Sequence, residues 1–135
     1  MSDFVNFKLA QKLKEKGFRE ECLCHYVGED LYYNIESPIA NNQLWFSHNK
    51  FDNIWHRDNH DAPTISQALK WLREKHATHI EVSLGRNGWY FEIIQYEYYE
   101  EEKEYGCKLI TISVINDSYE QAALAGVNYC LENLI

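Results

Sequence analysis

Ile80-Glu81-Val82-Ser83-Leu84, Gly85-Arg86-Asn87-Gly88 and Trp89-Tyr90-Phe91-Glu92-Ile93 decide the fold. Ile80, Val82 and Leu84 alternate with Glu81 and Ser83, and Trp89, Phe91 and Ile93 alternate on the return. A period of two on both sides of a four-residue segment holding Asn-Gly predicts a β-hairpin with one apolar face.

The stretches on either side support this hairpin. Upstream, Thr64 and Gln67 make a Thr-x-x-Gln capping box, with Pro63 just before it. Ile65, Ala68, Leu69 and Leu72 then recur at helical spacing with Trp71 at the edge of their stripe, and His76-Ala77 ends the helix. Downstream, Leu109 to Val114 reads as a third strand with Ile110, Ile112 and Val114 on its inner face. The last helix is capped by Asp117 or Ser118, with Glu120 and Gln121 three residues on from each. Tyr119, Ala122, Ala123, Gly126, Val127, Cys130, Leu131 and Leu134 keep helical period to the end, and the small residues among them allow close approach to a sheet.

Nearer the start, Asn6 is placed to cap a helix reaching Lys16, with Leu9, Ala10 and Leu13 as its apolar stripe. Gly17 ends it and Phe18 packs back. Cys22 to Val27 and Leu31 to Ile35, joined by Gly28-Glu29-Asp30, form a second hairpin. The expected architecture is one α+β domain over residues 1–135, mainly an antiparallel sheet with helices packed on one face. Its order is α-β-β, a long loop, then α-β-β-β-α. The loop spans residues 37–62 and is rich in aromatic residues and histidine; residues 96–105 read as a second, acidic tyrosine/glutamate loop.

Composition narrows the function. The chain has 135 residues and a formal net charge of −8, which repels polyanions and points away from nucleic acid. The one basic cluster, Lys8, Lys12, Lys14, Lys16 and Arg19, belongs to the first helix and reads as its solvated face. No apolar run approaches the about 20 residues of a membrane span, and no secretion signal is visible, so a cytoplasmic setting with reduced thiols is expected. Under those conditions Cys22, Cys24, Cys107 and Cys130 act as small apolar groups rather than as disulfides or a zinc site.

Two segments could carry function. The long loop holds Trp45, Phe46, Phe51 and Trp55, and the acidic loop holds Tyr98 and Tyr99 among Glu97, Glu100, Glu101, Glu102 and Glu104. Tyrosine and tryptophan give large contact area at low entropic cost, so these residues are the expected binding surface, with a protein as partner and a homo-oligomer as a further possibility. The alternative is a metal module: His48, His56 and His60 could converge on one ion and support metal-assisted hydrolysis. Arg57 follows His56 where a zincin would need its catalytic glutamate, which counts against that family. No nucleophile elbow or phosphate-cradling glycine loop is present, so no catalytic residue and no cofactor is assigned.

Two resemblances attach to these motifs. Ala62-Pro63-Thr64, Ala68 through His76, Gly88 through Ile93 and Asp117 through Ala122 together resemble short uncharacterised proteins of gut Bacteroidota and their phages. That likeness, from Ala62 onward, implies a mobile-element or accessory context and brings no activity. The strand followed by Asp117-Ser118-Tyr119-Glu120-Gln121-Ala122 and an amphipathic helix is similar to the HicB-type antitoxin domain. The helix ahead of the hairpin departs from that family's strand-first order, no DNA-binding segment follows, and no residue role carries over. The expected function is thus a small non-enzymatic interaction protein of accessory type.

Overall fold

The computed structural model describes residues 3–33 and 59–135. They group into two compact units, residues 1–64 and 65–135. The protein is mixed α+β, as expected; among the described residues every strand pair is antiparallel and the strands are shared between two three-stranded sheets, one in each unit.

In the first unit, helix α1 (Phe7–Glu15) buries Leu9, Ala10 and Leu13, the stripe its sequence predicts. The Asn6 amide oxygen accepts the Leu9 N–H at 2.9 Å, satisfying one of the helix's open donors. At the other end the Phe18 N–H bonds Leu13 O at 2.9 Å and the Gly17 N–H bonds Lys14 O at 3.1 Å. This is a Schellman ending, made possible by Gly17 at φ +96°. Strand β1 (Cys24–Val27) lies between β2 (Asp30–Tyr33) and β3 (Asn59–Ala62).

Strand β3 corrects the expected loop of residues 37–62 at its far end. Asn59, His60 and Asp61 have no apolar alternation, so nothing in the pattern marks a strand. Pairing with β1 creates it: His60 stands opposite Tyr26 and Asp61 opposite His25. Phe7 of α1 meets both Tyr26 and His60 edge-on, with ring centroids 5.8 and 5.5 Å apart. The Tyr26 hydroxyl donates to Val5 O at 2.7 Å, so this ring is buried with its polar tip satisfied.

In the second unit, α2 (Ile65–His76) leads into β4 (Thr78–Leu84), β5 (Trp89–Tyr99) and β6 (Glu104–Ile112), and α3 (Tyr119–Asn133) follows. The sheet order is β4-β5-β6. The first hairpin turns where the sequence places it, with the Gly85 N–H on Gly88 O at 2.8 Å. Ser118 is the N-cap of α3: its hydroxyl accepts the Gln121 N–H, and the Gln121 amide oxygen accepts the Asp117 N–H, both at 3.1 Å.

Helix α3 lies against β4 and β5, and α2 lies against β4 and α3. Ile80, Phe91 and Ile93 of the sheet are buried, as are Ala122, Ala123, Val127, Cys130 and Leu131 of α3 and Leu69, Trp71 and Leu72 of α2. Gly126 sets the spacing: a Cβ there would stand 2.8 Å from Ile80 Cγ2 and 3.3 Å from Phe91 Cγ. Glycine is what lets the helix backbone come that close.

The inner face expected for β6 is not the observed one. The β5–β6 ladder slips between Ile93 and Ile94, leaving Ile110 as a bulge, so Thr111 stands opposite the buried Ile93. A one-residue slip changes the face of every residue that follows it along the strand. Ile112 and Val114 therefore point away from the core, 55% and 85% exposed.

Candidate interaction surface

Strand β5 outruns its neighbour. The β4–β5 register ends with Thr78 opposite Gln95, and the Tyr96 N–H makes a last bond to Ala77 O at 3.1 Å. From Glu97 onward β5 pairs with β6 alone, down to Tyr99 opposite Glu104. Residues 96–105, expected as a loop, are therefore mostly a two-stranded ribbon closed by the four residues Glu100–Lys103, with Lys103 at φ +54°. The alternating tyrosines explain the correction: Tyr96 and Tyr98 fit a pleated surface, and the many carboxylates around them hid that pattern.

The pairing sorts the ribbon into two faces, since residues opposite one another share a side and neighbours along a strand do not. Tyr98 faces Tyr105, with ring centroids 4.9 Å apart, and Tyr96 approaches Tyr105 at 6.2 Å. The same side continues through Ile94 opposite Leu109 and Glu92 opposite Ile112. Tyr98 is 48% exposed, Tyr105 67% and Leu109 51%, and together with Ile112 they leave a large apolar strip open on the sheet. The other side carries Gln95, Glu97, Tyr99, Glu104, Gly106 and Lys108. There the Tyr99 ring lies across Gly106, covering the gap a larger residue would fill.

Tyr98 and Tyr99, predicted as one contact surface, thus lie on opposite faces. Tyr98 belongs to the apolar strip, whereas Tyr99 lines a cleft of about 370 Å³ bounded by His76 and Ala77 at the end of α2 and by Tyr96, Glu97 and Lys108 of the ribbon. The Tyr96 hydroxyl donates to Arg73 O and ties the base of the ribbon to α2. Burial lowers the pKa of the His76 imidazole, which packs edge-on to Trp71 at a centroid distance of 4.5 Å. Tyr105, Leu109 and Ile112 were not singled out as site residues by sequence, and Ile112 joins the face of Tyr105 and Leu109 only once the bulge is known.

The remaining predicted site residues fall elsewhere. Trp45, Phe46, Phe51, Trp55, His48 and His56 lie outside the described residues. His60 sits in β3 against Phe7. Among the described residues no group of three or more His, Cys, Asp or Glu side chains is arranged to hold a metal ion. Cys22 and Cys24 are fully buried. Burial, reinforced by the Asp61 carboxylate, drives the Cys22 thiol far above its ordinary range, and burial also raises Cys24. Burial pushes Cys130 up to about 12. Protonated, enclosed thiols are poor nucleophiles, so these three are packing groups. Among the described residues no helix is long and apolar enough to cross a membrane.

Compared with known protein families, curated proteins and solved structures, the sequence and its fold match none.

Proposed function

We propose that this is a small non-enzymatic interaction protein that binds a protein partner through the apolar strip of β5 and β6. The observation that carries this reading is the joint exposure of Tyr98, Tyr105, Leu109 and Ile112 on one sheet face. A contiguous apolar surface of this kind is costly to leave in water and marks a binding site more often than chance. Tyrosine suits it, offering wide contact with few rotors to immobilise.

Charge indicates the partner's chemistry. Glu92 lies on the strip's own side beside Ile112, and Glu100, Glu101 and Glu102 close the ribbon beyond Tyr98 and Tyr105, so carboxylate borders the strip at both ends. A segment with apolar anchors flanked by lysine or arginine complements it, and the rim charges would steer its approach. An accessory, mobile-element setting is part of the same proposal.

A random peptide library displayed on phage tests this. Selection on the intact protein is expected to enrich peptides that mix apolar and basic residues, and Tyr98→Ser/Tyr105→Ser is expected to lose them. Enriched peptides that bind the double variant as well as the parent would refute the proposed surface, as would a failure to enrich any peptide.

A further inference from the structure

We infer that β6 is also the strand through which two copies of this protein pair, antiparallel and edge to edge, with Glu104 of each copy opposite Lys108 of the other. This inference concerns the backbone edge of the sheet rather than its tyrosine face, so it stands or falls separately from the partner proposed above.

β6 pairs with β5 on one side, and no described strand pairs with its other side. Which of its backbone groups point outward follows from the hydrogen bonds. Tyr96 turns its N–H toward β4, onto Ala77 O. Along a strand these directions alternate, so Gln95, Glu97 and Tyr99 turn theirs toward β6, where they meet Lys108, Gly106 and Glu104. The outward N–H and C=O groups of β6 are then those of Tyr105, Cys107 and Leu109.

A two-fold antiparallel pair must set those outward residues opposite one another, and this leaves few registers. The charges choose among them. Glu104 and Lys108 are the charged residues of β6; they are opposite in sign, four apart, exposed and on one face. With Tyr105 opposite Cys107 of the other copy, Glu104 meets Lys108 twice, once on each side of the axis. Placing Cys107 opposite its own counterpart instead would set Lys108 against Gly106 and Glu104 against Ile110, with no ion pair.

The favoured register puts Gly106 on the two-fold axis. There the facing pair is the close, non-hydrogen-bonded kind, with Cα atoms about 4.5 Å apart, where glycine leaves room. Tyr99 already covers Gly106 on that face in each copy. The two three-stranded sheets would become one of six strands, and the strips of Tyr98, Tyr105 and Leu109 would run on across the junction. An open edge is prone to such pairing. The net charge of −8 on each copy opposes association, so the dimer is weak and its ion pairs set register more than they add affinity.

Sedimentation equilibrium of the full-length protein, with charge reversals, tests the pairing. The parent is expected to show a concentration-dependent dimer. Glu104→Lys and Lys108→Glu should each weaken it about tenfold, by turning two attractive cross-strand pairs into repulsions. Glu104→Lys/Lys108→Glu should restore it. A monomer at every concentration overturns the inference, as does a dimer that ignores the reversals or a double variant no better than the singles. Gly106→Cys in a Tyr99→Ala/Cys107→Ser background, which removes the ring a Cβ at Gly106 would strike, gives a second reading: mild oxidation should link two copies through the axis, and a protein that stays unlinked contradicts the register.

Discussion

Thr111 stands opposite Ile93 across the β5–β6 ladder, although isoleucines flank it on both sides. The bulge at Ile110 brings this about, and it turns Ile112 toward solvent. Stability should divide along the same line. Ile93→Ala is expected to cost about 2–5 kcal/mol, the range for emptying a packed core position. Ile112→Ser should stay within about 0.5 kcal/mol. Urea denaturation of both variants checks this, and equal losses would place Ile112 in the core.

Gly126 is expected to resist even the smallest enlargement. Alanine favours a helix over glycine by about 1 kcal/mol, yet its methyl would press on the buried and branched Ile80. Overpacking costs about 1–3 kcal/mol, so Gly126→Ala should be a net destabilisation near the low end and Gly126→Val a larger one. Thermal melts rank the parent and the two variants.

Ala77 joins α2 to β4 at φ +48°, a conformation that strains a residue with a Cβ. Ala77→Gly relieves this, less the extra freedom glycine has when unfolded. The expected result is a gain of about 0.5–1 kcal/mol. A loss would mean that the Ala77 methyl contributes more by contact than its backbone costs.

Burial lowers the pKa of His76. The unfolded protein therefore takes up this proton first as pH falls through the ordinary histidine range, about 6.5, and acid favours unfolding there. Stability due to the neutral imidazole is present above that range, declines as pH falls through it, and is fully lost below the lower folded value. His76→Gln should flatten this part of the profile, read as the difference between parent and variant urea midpoints at neutral and mildly acidic pH.

Local rules carried much of the fold. The stripe of Leu9, Ala10 and Leu13, the Gly17-Phe18 ending, the turn at Gly85–Gly88 and the Ser118–Gln121 cap each depend on residues close in sequence, and each is where its pattern put it. β3 and the facing of β6 depend on partners distant in sequence. Asn59-His60-Asp61 becomes a strand because β1 offers it an edge, and a bulge that reverses a face leaves no mark in composition. For the candidate site, tyrosine and glutamate content indicated the segment, but only the register separates Tyr98 from Tyr99 and joins Tyr98 to Tyr105, Leu109 and Ile112.

The most direct test of an interaction surface on β5 and β6 is to map where a bound peptide is felt. Backbone amide shifts of the labelled full-length protein would be followed by NMR while a library-selected basic peptide is added. The expected changes cluster at residues 94–98 and 105–112, saturate together, and vanish in Tyr98→Ser/Tyr105→Ser. Changes confined to residues 1–64, or to the cleft beside His76 and Tyr99, would contradict the account.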